Sequence, residues 1–176
     1  MTFSNPIRGL KAMRLHLRAI KYRKLRQYDK AIQLLIELLE RYPAYLIVHV
    51  AWLELADSYE HVGELVLAES AYRHALTHDS SSGQASQAFA NFLVQHGRND
   101  EAIPYVKQAL VSLAAKDPYS WLPKLTVGIG ECIGRFVGKR GRFRDSFRQI
   151  ENYQDDWRKW AKTFLESHED RQGPTP

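Results

Sequence analysis

Residues 52–76 read WLELADSYEHVGELVLAESAYRHAL, and their spacing decides the fold. Trp52, Leu55, Ala56 and Tyr59 recur every three or four residues, which places them on one face of a helix. Ala68, Tyr72, Ala75 and Leu76 do the same for a second helix. Gly63 falls between the two, where a tight turn calls for a left-handed residue. Two antiparallel helices approach closely only where small side chains meet, so Ala56 is expected against Ala68 and Ala75. The rings of Trp52, Tyr59 and Tyr72 then fill the space beside that contact.

The pattern extends in both directions. Ala19, Ala56 and Ala90 are 37 and 34 residues apart, and the same two offsets relate Tyr22, Tyr59 and Leu93. They also relate Ala31, Ala68 and Ala102, and Leu39, Leu76 and Leu110. The three extra residues of the first interval are expected in the Tyr42-Pro43-Ala44 connection. Copy one has Arg26 where copy two has its turn glycine, and copy three has Gly97. In copy three Asn99 is the expected helix cap, which leaves Pro104 in the opening turn, where a missing N–H costs little. One such hairpin cannot bury its apolar face alone, whereas stacked copies can.

The middle copy resembles the tetratricopeptide repeat, whose pattern is W-x2-L-G-x2-Y followed by A-x3-F and a closing proline. Here it reads Trp52-x2-Leu55-Ala56-x2-Tyr59 and Ala68-x3-Tyr72, with Ser80 in place of the proline. The resemblance covers roughly residues 12–118. It implies an all-α fold, a right-handed superhelix of antiparallel helix pairs. Copies are expected near residues 12–45, 49–82 and 83–117, with a degenerate fourth at 119–154. In that fourth copy Gly130, Gly134, Gly138 and Gly141 share one helical face, suited to close backbone approach or, alternatively, to a hinge. Residues 155–169 carry Trp157, Trp160, Ala161, Phe164 and Leu165 on one face and are expected to form a capping helix; docking onto a partner is the alternative. Residues 170–176 read as a disordered tail.

Composition narrows the function. The chain has 176 residues, 44% of them hydrophobic, and Cys132 is its only cysteine, which excludes a disordered chain and a disulfide scaffold. The longest apolar-rich stretch without Asp, Glu, Lys or Arg is the 12 residues from Tyr42 to Leu53, too short for a transmembrane span. A single thiol fits a reducing, cytoplasmic setting. Residues 1–26 hold eight Lys/Arg and no acid, but Leu15, Ala19 and Tyr22 belong to the repeat, which argues against a cleaved presequence. Residues 29–117 hold six bases and twelve acids, and residues 135–148 hold six bases against Asp145.

Signals for chemistry are sparse. His74 and His78 stand one turn apart, but no third ligand follows at motif spacing, so neither a metal nor a cofactor is expected. The glycines of 128–134 lack a P-loop lysine. Val137-Gly138-Lys139-Arg140-Gly141 matches the GxxG loop of a KH domain, but the strands such a domain requires are missing from the pattern. No catalytic set is expected.

The resemblance further implies that the first helix of each pair lines a concave face that holds peptides or partner helices. On helical phase that face comprises Met13, His16, Ile20 and Arg23 in copy one and Leu53, Asp57 and Glu60 in copy two. Copy three contributes Gln84, Gln87, Asn91 and Val94, and copy four Glu131, Arg135 and Lys139. Some members clamp a terminal carboxylate there; only Asn91 suits that task here and Asp57 would repel an anion, so this is not expected to be such a clamp. Charge reversal at Asp57 and Glu60 is expected to weaken partner binding while sparing stability. The expected function is a non-enzymatic protein-binding module: an adaptor, a dedicated chaperone or an immunity-type inhibitor. The alternative is nucleic-acid binding through the basic segment 135–148, with Arg140, Arg142, Arg144 and Arg148 adding to Arg135 and Lys139. A homodimer is an open alternative for the terminal hairpins.

Overall fold

The computed structural model describes the backbone of residues 6–45, 47–78, 83–114 and 142–169, and the side chains of 8–45, 47–78, 83–112 and 152–168. Seven helices form there, and among the described residues there is no strand. They are α1 (Pro6–Lys24), α2 (Tyr28–Arg41), α3 (Val48–His61), α4 (Leu65–His78), α5 (Gln84–Gln95), α6 (Asn99–Ala114) and α7 (Arg142–Glu169). Among the described residues no helix is long and apolar enough to cross a membrane. The chain divides into two compact units, residues 1–105 and 106–176.

Two hairpins and the opening of a third lie in the first unit and follow the expected register. Each first helix ends in the same capping motif. The Gln27 N–H bonds the Tyr22 carbonyl and the Arg26 N–H that of Arg23, both at 2.9 Å. Glu64 and Gly63 bond Tyr59 and Glu60 in the same way, and Arg98 and Gly97 bond Leu93 and Val94. The residue that reverses the chain is left-handed every time, with φ of 57° at Arg26, 85° at Gly63 and 74° at Gly97. Arg26 thus performs the glycine's turn without being glycine. This double bond satisfies two of the carbonyls a helix end leaves open, and the short link makes the following helix antiparallel.

Small residues close the hairpins as the spacing predicts. Ala19, Ala56 and Ala90 are buried on the first helices, and Ala31, Ala68 and Ala102 on the second. Leu35 and Tyr72 fill one matching position of the second helices, and Leu38 and Ala75 another. Successive copies are joined by α2 against α3 and by α4 against α5. Tyr72 stands 5.2 Å from Phe92 and 6.0 Å from Phe89, ring to ring, and Phe89 meets Tyr105 edge-on at 4.7 Å. That aromatic cluster welds copy two to copy three.

Two details differ from the sequence expectation. The three extra residues do not all fall at Pro43: α3 has 14 residues where α5 has 12, so two of them lengthen the start of α3. Asn99 is not a cap. The Ala102 N–H bonds the Arg98 carbonyl at 3.2 Å, so α6 begins one residue earlier than expected, and Asn99 Oδ1 has no hydrogen-bond partner. Arg98, the residue before α6, is anchored by Glu69 of α4 at 2.6 Å and by Glu101 at 2.6 Å. Pro104 therefore lies inside the helix and deprives the Asp100 carbonyl of its usual donor.

In the second unit α7 runs unbroken over 28 residues. The sequence expectation split this stretch into the second helix of a fourth copy, at 143–150, and a separate capping helix at 155–169. Residues 151–154 are Glu-Asn-Tyr-Gln, with neither glycine nor proline to stop the helix. Trp157, Ala161 and Phe164 are buried on one face, and Trp160 lies 5.2 Å from Phe164. The glycine stripe, Cys132, the GxxG segment and the tail 170–176 lie outside the described residues.

Candidate functional site

The first helices form a row, α1 against α3 and α3 against α5. Opposite charges on facing helices knit that row together. His16 of α1 is buried, 3% exposed, and its Nε2 lies 2.8 Å from Glu54 Oε2 on α3. A carboxylate only accepts, so this nitrogen donates. His16 Nδ1 lies 3.3 Å from the Tyr45 hydroxyl. Burial and the Glu54 charge raise the pKa of Tyr45, which keeps its hydroxyl protonated. Two turns along α1, Arg23 reaches Glu54 at 3.2 Å and also donates to Asp57. Glu54 therefore receives both His16 and Arg23.

Glu60, near the end of α3, reaches both α4 and the end of α5. Glu60 Oε2 accepts the Tyr72 hydroxyl at 3.1 Å, and Glu60 Oε1 lies 3.8 Å from His96 at the end of α5. Burial and the Glu60 carboxylate push the Tyr72 pKa strongly upward, so the phenol stays protonated.

This network corrects the sequence reading of several residues. His16 and Gln87 were expected to line the binding face, yet they are 3% and 5% exposed and offer almost no surface. His16 is turned toward Glu54, and Gln87 is packed within α5's buried face. Asp57 is ion-paired with Arg23 and Glu60 is hydrogen-bonded by Tyr72, so both carboxylates of the expected acidic stretch are engaged by neighbouring helices while staying partly exposed. The other accessible residues of the expected face, among those described, are apolar or neutral: Met13 and Gln84 are exposed, and Ile20, Leu53, Asn91 and Val94 are half-buried. Glu131, Arg135, Lys139 and Arg140 lie outside the described residues, while Arg142, Arg144 and Arg148 fall in the first turns of α7.

Glu54, Tyr45 and His96 were not anticipated. A signal for Glu54 did exist: His16 and Arg23 lie two turns apart on one first helix, and Glu54 and Asp57 lie one turn apart on the next. On the far side of the unit, between α2 and α4, a shallow cleft of about 240 Å³ is lined by residues including Ile36, Leu39, Trp52, Tyr59 and Leu67. His74 stacks on Trp52 there at 4.5 Å. Among the described residues no three His, Cys, Asp or Glu side chains converge as metal ligands.

No protein-family model matches the chain, and no curated protein matches it. Solved structures do. A mutant of MamA is 24% identical with a TM-score of 0.51, the match covering 63% of this chain and 59% of that one. The chain thus matches less than two thirds of the MamA chain's length. The tetratricopeptide-repeat domain of Sgt2 from Aspergillus fumigatus is 13% identical with a TM-score of 0.57, over 94% of this chain and 86% of that one. At these identities the likeness concerns the fold, which is an all-α, tetratricopeptide-like helical repeat.

Proposed function

We propose that the chain is a non-enzymatic protein-binding module that holds a partner segment along the row of α1, α3 and α5. The observation that carries this reading is the wall those helices present. Met13, Ile20, Leu53 and Val94 are apolar yet remain at least partly exposed, while Arg23, Glu54 and Asp57 beside them are paired with one another. Such a wall favours burial of apolar side chains. Among the described residues it carries no convergent acid, base and nucleophile, which supports a binding role over a catalytic one. The solved relatives of this fold support the same general reading. Adaptor, dedicated chaperone and immunity-type inhibitor are the specific roles that fit it.

The test compares the wild-type chain with Leu53→Arg and Val94→Arg as affinity baits in lysate of the native organism. The expected result is one prominent partner captured by wild type and lost from both variants, with melting temperatures unchanged. Retention by both variants would overturn the assignment of the wall. RNA binding that persists at physiological salt and depends on Arg142, Arg144 and Arg148 would favour the nucleic-acid alternative.

A further inference from the structure

Repeat register points to a second surface. Helix α3 receives α1 through Glu54 and Asp57. The residues 37 positions earlier on α1 are Leu17 and Ile20, and Val50 and Ile47 correspond in the same way to Met13 and Leu10. Leu10, Met13 and Leu17 are 53%, 44% and 57% exposed, and Ile20 is half-buried. Spacings of three, four and three residues make these four a straight seam of the kind one helix offers another. By register, the seam lies where a preceding first helix would pack. Beside it stand Arg14, Arg18 and Lys21, all exposed, where the next copy has the buried Ala51, Leu55 and Ser58. Helix α1 carries seven Lys/Arg and no acid. Among the described residues only Arg23 of those seven is ion-paired.

We propose that this seam docks an acidic amphipathic helix from a protein partner, which takes the place of a preceding first helix. Its apolar residues cover Leu10, Met13, Leu17 and Ile20, and its carboxylates meet Arg14 and Lys21. Charge decides against a second copy of the same seam, since two acid-free basic helices repel. Width and composition decide against a lipid surface. The strip is narrow and holds no Trp, Tyr or Phe, whereas interfacial helices expose a broad apolar face with aromatics. The proposal rests on the reading of the chain as a protein-binding module, but Leu10 and Leu17 lie outside the wall assigned above.

The probe is a fluorescent synthetic helix of about three heptads, with Leu at the seam positions and Glu beside them. It is titrated with the full chain and followed by anisotropy. Saturable binding that weakens with added salt is expected. Leu10→Ser with Leu17→Ser should lower affinity by about tenfold or more at an unchanged melting temperature. Arg14→Glu with Lys21→Glu should move preference to the same peptide with Lys in place of Glu. Leu53→Arg should leave this affinity intact, so failure of the seam and failure of the wall are separate results. Absence of binding, indifference to either pair of substitutions, or loss through Leu53→Arg overturns the proposal. So does a Leu10- and Leu17-dependent preference for phosphatidylserine vesicles or for self-association over the peptide.

Discussion

Arg26 and Gly63 occupy the same place in successive copies, both left-handed, at φ of 57° and 85°. Only Gly63 is free of the steric penalty that an L side chain incurs there. A Cβ added at Gly63 would meet nothing within 4 Å, so the cost of Gly63→Ala is conformational and not a clash. Gly63→Ala should destabilise the first unit by about 1 kcal/mol, and Arg26→Gly should stabilise it by a similar or smaller amount. Urea unfolding followed by circular dichroism measures both. Opposite signs are expected; stabilisation by Gly63→Ala would contradict the turn geometry.

Acid should loosen the contact between copies two and three. Hydrogen bonds from Arg98 and then Arg73 hold the Glu69 carboxyl well below its usual range, at about 2. The folded pKa lies below the unfolded one, so the unfolded chain takes up the proton first as pH falls. The contribution is complete above about pH 4.5 and is lost as pH drops toward about 2. Part of the carboxylate is in contact with solvent, which limits the contribution to about 1 kcal/mol. Glu69→Gln should lower the melting temperature at neutral pH, and the gap from wild type should narrow below pH 4.5. A gap that stays constant down to pH 2 would show that the Arg98 bonds are not the source.

The hairpins were legible because their signal is periodic and local. Alanines at two offsets and a glycine in the turn specify helix, reversal and close packing within some thirty residues. The continuity of α7 was not, since the expected break rested on repeat count and not on any residue that stops a helix. The solvent-facing side of the first helices was partly legible: Met13 is exposed, and Leu53 and Val94 are half-buried. Helical phase alone cannot tell a residue facing solvent from one facing the next helix. The difference between Ile20, which stays half open, and His16, which turns into Glu54, depends on a partner 38 residues away.

Tyr72 separates a hydrogen bond from packing. Its hydroxyl bonds Glu60, while its ring joins Phe89 and Phe92 across the boundary between copies. Tyr72→Phe should cost about 1 kcal/mol, the worth of one hydrogen bond. Tyr72→Ala should cost about 3–5 kcal/mol because it opens a cavity among the rings. Equal costs in chemical denaturation would place the energy in the hydroxyl alone.

Glu54 should matter more than Asp57, although only the latter was expected on the binding face. Removing Glu54 leaves His16 Nε2 buried without an acceptor and Arg23 without one of its two carboxylates. Glu54→Ala is therefore expected to cost about 2 kcal/mol. Asp57 is partly open to solvent and shares Arg23, so Asp57→Ala should cost about 0.5–1 kcal/mol. Asp57→Arg brings two guanidinium groups together and should lower the melting temperature, contrary to the expectation that reversal here would spare stability. Reversing the pair, Arg23→Asp with Asp57→Arg, sets the carboxylate introduced on α1 beside Glu54 and should recover only part of the loss. Full recovery in a thermal melt would mean that Glu54 does not depend on Arg23, and that His16 alone ties it to α1.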